Sequence, residues 1–117
     1  MRFENWRGGR PKIVGYEAKW NRENPDFHNT VRDFTWAKRE PELRDALTGA
    51  AVTCWRLFGL SGYARVDFRV GADGRPLVLE VNVNPCLSQD AGFAAAATQA
   101  DMAYPDLVQT ILRSAHR

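Results

Sequence analysis

Cysteine and histidine are scarce in this chain, with two of each, and their placement excludes several chemistries. Neither Cys54 nor Cys86 falls in a Cys-x-x-Cys or Cys/His array, so the ligand spacing of a zinc site is missing. A single disulfide between them stays open, although nothing in so sparse a cysteine usage points to an oxidising compartment. Charge of one sign is also lacking: the formal net charge is +2 with no Lys/Arg block, too slight to draw nucleic acid. Long apolar runs are absent, so no stretch approaches membrane-spanning length. The opening Met1-Arg2-Phe3-Glu4-Asn5-Trp6-Arg7 has no apolar signal core. A cytoplasmic location, without membrane or nucleic-acid partners, is the expectation. What is present is ordinary for a globular domain, with 44% hydrophobic and 26% charged residues. Its 117 residues suffice for one domain with a core but are few for a complete metabolic enzyme.

Along the chain, Gly8-Gly9-Arg10-Pro11 reads as a loop and residues 12–20 as a strand. Residues 21–36 are polar with scattered aromatics (Phe27, Phe34, Trp36), and a loop of that length is more often functional than incidental. Pro41 and Glu42 open a helix. Leu43, Leu47, Ala50, Ala51, Cys54, Trp55 and Phe58 form its apolar stripe, and Gly59 is its natural stop. After a turn at 84–90 come a short alanine-rich helix over 92–100 and a last helix from Tyr104 to about residue 113. No repeats occur, and Ala94 to Ala97 is the single low-complexity run.

Between these helices lies the richest pattern. Residues 63–70 and 77–85 alternate apolar and polar side chains around Gly71-Ala72-Asp73-Gly74-Arg75-Pro76, which predicts a β-hairpin. Asp73-Gly74 suits a two-residue type I′ turn. That turn would oppose Val70 with Leu77, Phe68 with Leu79 and Val66 with Val81 on one apolar face. The other face would set Asp67 against Glu80 and Arg65 against Asn82. Carboxylates directly across a ladder repel unless a cation or proton intervenes. Two carboxylates and an amide carbonyl suit magnesium or manganese rather than softer metals, and an arginine beside such an ion is a usual partner of a phosphoryl group. A solvated outer face of an antiparallel sheet explains the same charges without any ligand. The apolar alternation fixes which side chains share a face, and both readings remain open on pattern alone.

Other candidates carry less. Lys19 is a solvated charge or a point charge for a phosphate. His28 reads as a solvated imidazole, and His116 as part of a fraying terminus. Ser88 lacks triad spacing and suits a cap, and Cys86 has no neighbouring histidine to activate it. Tyr63 closes the end of the sheet, and Trp55 and Phe58 read as core.

Arg65-x-Asp67, followed after the turn by Leu79-Glu80-Val81-Asn82-x-Asn84-Pro85, resembles the magnesium motif of the ATP-grasp ligases, in particular the D-alanine–D-alanine ligases. Tyr16-Glu17-Ala18-Lys19-Trp20 is similar to the Tyr-Glu-Ala-Lys-Tyr segment that leads into that family's mobile loop. The helix over 41–59, Gly62-Tyr63-Ala64-Arg65-Val66-Asp67-Phe68 and Tyr104-Pro105-Asp106-Leu107-Val108 follow in family order, so the likeness spans residues 12–115. It implies an α+β fold, an antiparallel sheet with packed helices forming the C-terminal ATP-grasp subdomain. That subdomain would cover 12–117 after an N-terminal loop of 1–11, with a mobile loop at about 21–36.

By the same resemblance ATP and magnesium (or manganese) are the cofactors. Asp67, Glu80 and Asn82 would hold the metal, with Glu80 bridging two ions. Arg65 would contact the transferring phosphoryl group, Lys19 would close over the phosphates, and Leu79 would floor the adenine. The implied reaction activates a carboxylate as an acyl phosphate for attack by an amine, as in peptidoglycan synthesis, on amino-acid or dipeptide-like substrates. Family members are about three times longer, so the resemblance covers their C-terminal third and implies a piece incomplete for catalysis alone. The missing N-terminal half or a second copy of the chain would then be its partner. Cys86 stands where the family has glycine and Ala91 where it has serine, which favours a different carboxylate and amine. A non-catalytic interaction module is the alternative from another class.

Overall fold

The computed structural model of the protein describes residues 1–6, 8, 9, 12, 14 and 16–115. Arg10, Pro11, Ile13 and Gly15 of the expected loop and strand, and His116, lie outside the described residues. The chain forms two compact units, residues 1–36 and 37–117.

In the first unit, β1 (Arg2–Phe3) pairs antiparallel with β2 (Thr30–Val31), and α1 (Tyr16–Trp20) contacts α2 (Pro25–His28). Of the strand expected at 12–20, Lys12 and Val14 lie in no regular element, while Tyr16–Trp20 form a helix instead. Glu, Ala and Lys favour that state, and the short ladder of this unit belongs to β1 and β2 instead. Residues 21–36, expected as a loop, carry local structure of their own. Asn24 caps α2 by accepting the Asp26 N–H at 2.9 Å, Pro25 fills the first turn, and the Thr30 hydroxyl donates to the Asp26 carbonyl at 3.0 Å. The His28 ring lies edge-on to Phe27 and within 2.8 Å of the Arg22 carbonyl. Ala18 is buried.

A short helix, α3 (Trp36–Arg39), falls at the junction in sequence, and α4 (Pro41–Leu57) begins the second unit proper. Leu43, Leu47, Ala50, Ala51 and Trp55 are half-buried and Cys54 is buried, so the apolar stripe does face inward. Gly59 takes φ +57 and its N–H donates to the Arg56 carbonyl, while the Leu60 N–H reaches back to the Trp55 carbonyl. This pair of bonds is a Schellman ending, as the glycine predicts. Phe58 is not core: it is the cap residue and 60% exposed, because the stripe ends one turn before it.

The hairpin follows as β3 (Arg65–Val70) and β4 (Pro76–Asn82), an antiparallel two-stranded sheet backed by α4. Its turn differs from the expected one. Gly71 N–H donates to the Arg75 carbonyl, and Gly74 N–H to the Gly71 carbonyl, so three residues span the loop. Gly74 alone there has positive φ (+75), and Asp73 instead accepts the Arg75 N–H on its carboxylate at 3.1 Å. This is a type I turn closed by a left-handed glycine rather than type I′.

Near the turn the register is accordingly one residue off: Val70 opposes Pro76, Arg69 opposes Leu77 and Phe68 opposes Val78. A bulge between Asp67 and Phe68 then absorbs one residue of β4, which leaves Leu79 without a direct partner. Beyond it the expected pairs return, with Asp67 against Glu80, Val66 against Val81 and Arg65 against Asn82. The apolar face is half-buried at this end (Val66, Phe68, Val81) and more open near the turn, where Val70 is 38% and Val78 45% exposed.

Two helices complete the unit, α5 (Gly92–Gln99) and α6 (Tyr104–Ala115), packed on each other with Ala94 and Leu107 buried. Pro85, just after the hairpin, is the largest fully buried side chain. The Tyr63 ring packs against Phe93 with centroids 5.7 Å apart, tying the start of β3 to α5. Among the described residues no helix is long and apolar enough to cross a membrane.

Candidate functional site

Directly opposed residues of an antiparallel ladder carry their side chains on one face, with Cβ atoms ~5 Å apart. The ladder pairs Asp67–Glu80 and Arg65–Asn82 therefore bring all four polar side chains onto one patch of sheet. Residues two apart on a strand also share a face. Arg65 uses this spacing to clasp Asp67, its Nε donating to Oδ1 at 2.6 Å and its Nη2 to Oδ2 at 2.8 Å. Both oxygens of Asp67 are thus engaged by one guanidinium fork, the strongest form of this contact. The Asp67 hydrogen bond holds the Arg65 guanidinium above its ordinary pKa, against the opposing pull of partial burial and with help from the Asp67 and Glu80 charges. The Glu80 side chain makes no hydrogen bond or ion pair among the described residues and faces solvent.

Asn82 is oriented from beyond the strand. Its Oδ1 accepts the Asn84 backbone N–H at 2.9 Å, and the Asn84 side chain in turn receives the Tyr63 hydroxyl at 3.4 Å. The amide carbonyl keeps a second lone pair for another partner. The donor set is therefore two carboxylates and one amide carbonyl, all hard oxygens, which fits magnesium or manganese. Among the described residues no group of three or more His, Cys, Asp or Glu could hold a metal, so this set depends on Asn82. A cation is already called for by Asp67, and Arg65 supplies it in the structure.

Lys19 is exposed in the last turn of α1, in the first unit. Leu79, at the bulge of β4, is 67% exposed. Both cysteines are free, so the disulfide left open by the sequence is not formed. Cys86 Sγ lies 3.3 Å from Ser88 Oγ. Hydrogen bonding from the Ser88 side chain, and then from its backbone N–H, holds the thiol below its ordinary pKa. Ser88 does shape the following turn, since its carbonyl accepts the Ala91 N–H at 2.8 Å. Among the non-glycine described residues positive φ occurs at Asn5 and Asp101, so Cys86 takes the glycine position of the resemblance without left-handed strain. Sequence reasoning did not find the Arg65–Asp67 fork or the Cys86–Ser88 contact. Their only signal is opposite or complementary side chains two positions apart.

A helix-backed antiparallel hairpin with an oxygen-donor face and an adjoining arginine defines an α+β domain suited to a hard cation and an anion. Residues 8–113 match the family described as D-ala D-ala ligase C-terminus. The chain belongs to this family, and its fold is the family's α+β C-terminal ATP-grasp subdomain. Among curated relatives, the D-alanine–D-alanine ligase of Pelotomaculum thermopropionicum is 37% identical over 104 residues, covering 88% of this chain and 30% of the relative. That of Neisseria meningitidis serogroup B is 31% identical over 105 residues, covering 90% and 33%. That of Cupriavidus necator is 29% identical over 104 residues, covering 89% and 32%. The chain thus spans about a third of the length of the curated relatives it matches. No solved structure matches it.

Proposed function

We propose that this chain forms the magnesium and ATP-binding wall of a D-alanine–D-alanine ligase-like carboxylate–amine ligase. The observation that carries the reading is the ladder register that sets Asp67 against Glu80 and Arg65 against Asn82. Asp67, Glu80 and Asn82 hold magnesium or manganese, which when bound offsets charge on the nucleotide phosphates. Arg65 stabilises the transferring phosphoryl group as a planar, permanently charged donor. Lys19 neutralises phosphate as a point charge, and exposed Leu79 offers an apolar surface to the adenine. The carboxylate of one substrate is activated as an acyl phosphate and then attacked by the amine of the second, with loss of phosphate. The substrates are amino acids or dipeptide-like molecules, and the work belongs in the cytoplasm, in peptidoglycan synthesis. Completing the cleft takes a further region or a partner chain.

Ala91 and Cys86 bear on which carboxylate and amine are joined. Ala91 caps α5 without any side-chain hydrogen bond, so no hydroxyl is offered there to a substrate carboxylate. A second reading, a non-catalytic interaction module, is favoured by the exposure of Leu77, Leu79 and Val83 along and beyond β4.

Isothermal titration with ATP and magnesium, wild type against Glu80→Gln, separates the two. Heat for the wild type that the substitution abolishes supports the metal assignment; no heat for the wild type removes the nucleotide site and leaves the interaction module. Phosphate release that depends on an added amino acid is the further requirement for a ligase.

A further inference from the structure

Arg65 and the metal have claims on the same carboxylate. The fork from Nε and Nη2 takes one lone pair on each oxygen of Asp67, at 2.6 and 2.8 Å. A divalent ion approaching Asp67 meets those oxygens engaged and a positive charge alongside them. Glu80, directly across the ladder, has no such partner and is exposed. The two carboxylates of the patch are therefore unequal, one closed by a cation from its own strand and one open.

Resting on the metal reading above, we propose that Arg65 is a built-in competitor of the metal, holding Asp67 until the ion displaces it. Glu80 receives the ion first, and Asp67 joins only as the guanidinium withdraws. An anionic phosphoryl group gives the withdrawn Arg65 a new partner, so phosphate lifts the competition and strengthens metal binding. Linkage requires the reverse as well: the metal, by freeing Arg65, strengthens phosphate binding by the same factor. The pair thus disfavours a half-filled site, with metal but no nucleotide.

The test follows the Arg65 side chain itself. Magnesium is titrated into the full chain at constant ionic strength, without nucleotide, while NMR reads the Arg65 Nε–H and the Asp67 and Glu80 side-chain carboxyl carbons. The expected result is a Glu80 carboxyl shift, with the Asp67 shift and the loss of the Arg65 Nε–H hydrogen-bonded position following together. Arg65→Lys keeps the charge and removes the fork, so it is expected to bind magnesium about two- to fivefold more tightly, the scale of an exposed ion pair. An Arg65 Nε–H that stays in place while both carboxyls titrate overturns the competition and leaves the metal site standing. Unchanged or weaker magnesium binding by Arg65→Lys does the same. Carboxyls that do not respond to magnesium at all overturn the metal reading, and the competition with it.

Discussion

Cys86 shows how much of a side chain's chemistry is set by two neighbours in sequence. Its thiol is exposed and sits beside the Ser88 hydroxyl and N–H, which stabilise the thiolate. A lowered pKa places half-maximal thiolate at a lower pH than in an ordinary thiol. The pH midpoint of iodoacetamide alkylation at Cys86 is therefore expected below that of a model thiol and to rise in Ser88→Ala; equal midpoints in the two proteins would refute the assignment. Leu79 poses the opposite case, a large apolar residue with little to lose from the fold. At 67% exposure, Leu79→Ala is expected to change stability by no more than about 0.5 kcal/mol in urea unfolding. If Leu79 meets adenine, the same substitution weakens ATP binding and leaves inorganic tripolyphosphate binding unchanged, a split that titration calorimetry reads directly.

Among the elements, α5 starts without a side-chain cap. Ala91 adopts the extended φ −74, ψ 160 of a cap but offers no side-chain acceptor to the first turn. Ala91→Ser supplies one, and a gain of about 1 kcal/mol in unfolding free energy is expected, read as a rise in the urea midpoint. The helices were legible from sequence because periodicity and end signals are local: the α4 stripe and Gly59 predict its inner face and its Schellman ending. The hairpin was legible in part. Alternation predicts the strands and Asp67 opposite Glu80, but Asp73-Gly74 also fits a three-residue turn with glycine in the left-handed position. The bulge at Leu79 restores the register that the longer turn had shifted, so the site pairs form by a route alternation does not reveal. The helix at 16–20 was not legible, since Tyr-Glu-Ala-Lys-Trp has no period that separates a short helix from a strand. Nor was the local structure of residues 21–36, where Asn24 and Thr30 act through side-chain contacts with the backbone.

At the scale of the molecule, few of the described residues are fully buried. Ala18, Cys54, Ala94 and Leu107 are the buried apolar residues apart from Pro85, while Leu57, Phe58, Leu77, Leu79 and Val83 remain exposed among the described residues. Burial of that size leaves a small margin over conformational entropy, and a ligand that binds the folded form alone then becomes a large share of the total. At a hundredfold excess over its dissociation constant, Mg·ATP adds about 2.7 kcal/mol. For a chain of this length that corresponds to an upward shift in Tm on the order of 10 °C. Glu80→Gln removes one exposed charge that makes no hydrogen bond or ion pair among the described residues, so its own Tm is expected to stay close to wild type while the Mg·ATP shift disappears. ATP with EDTA should leave the wild-type melt where it was, because the phosphates then lack the cation that joins them to the carboxylates. A wild-type Tm indifferent to Mg·ATP would mean that the hairpin face does not bind nucleotide in this chain, and that its exposed apolar residues serve association instead.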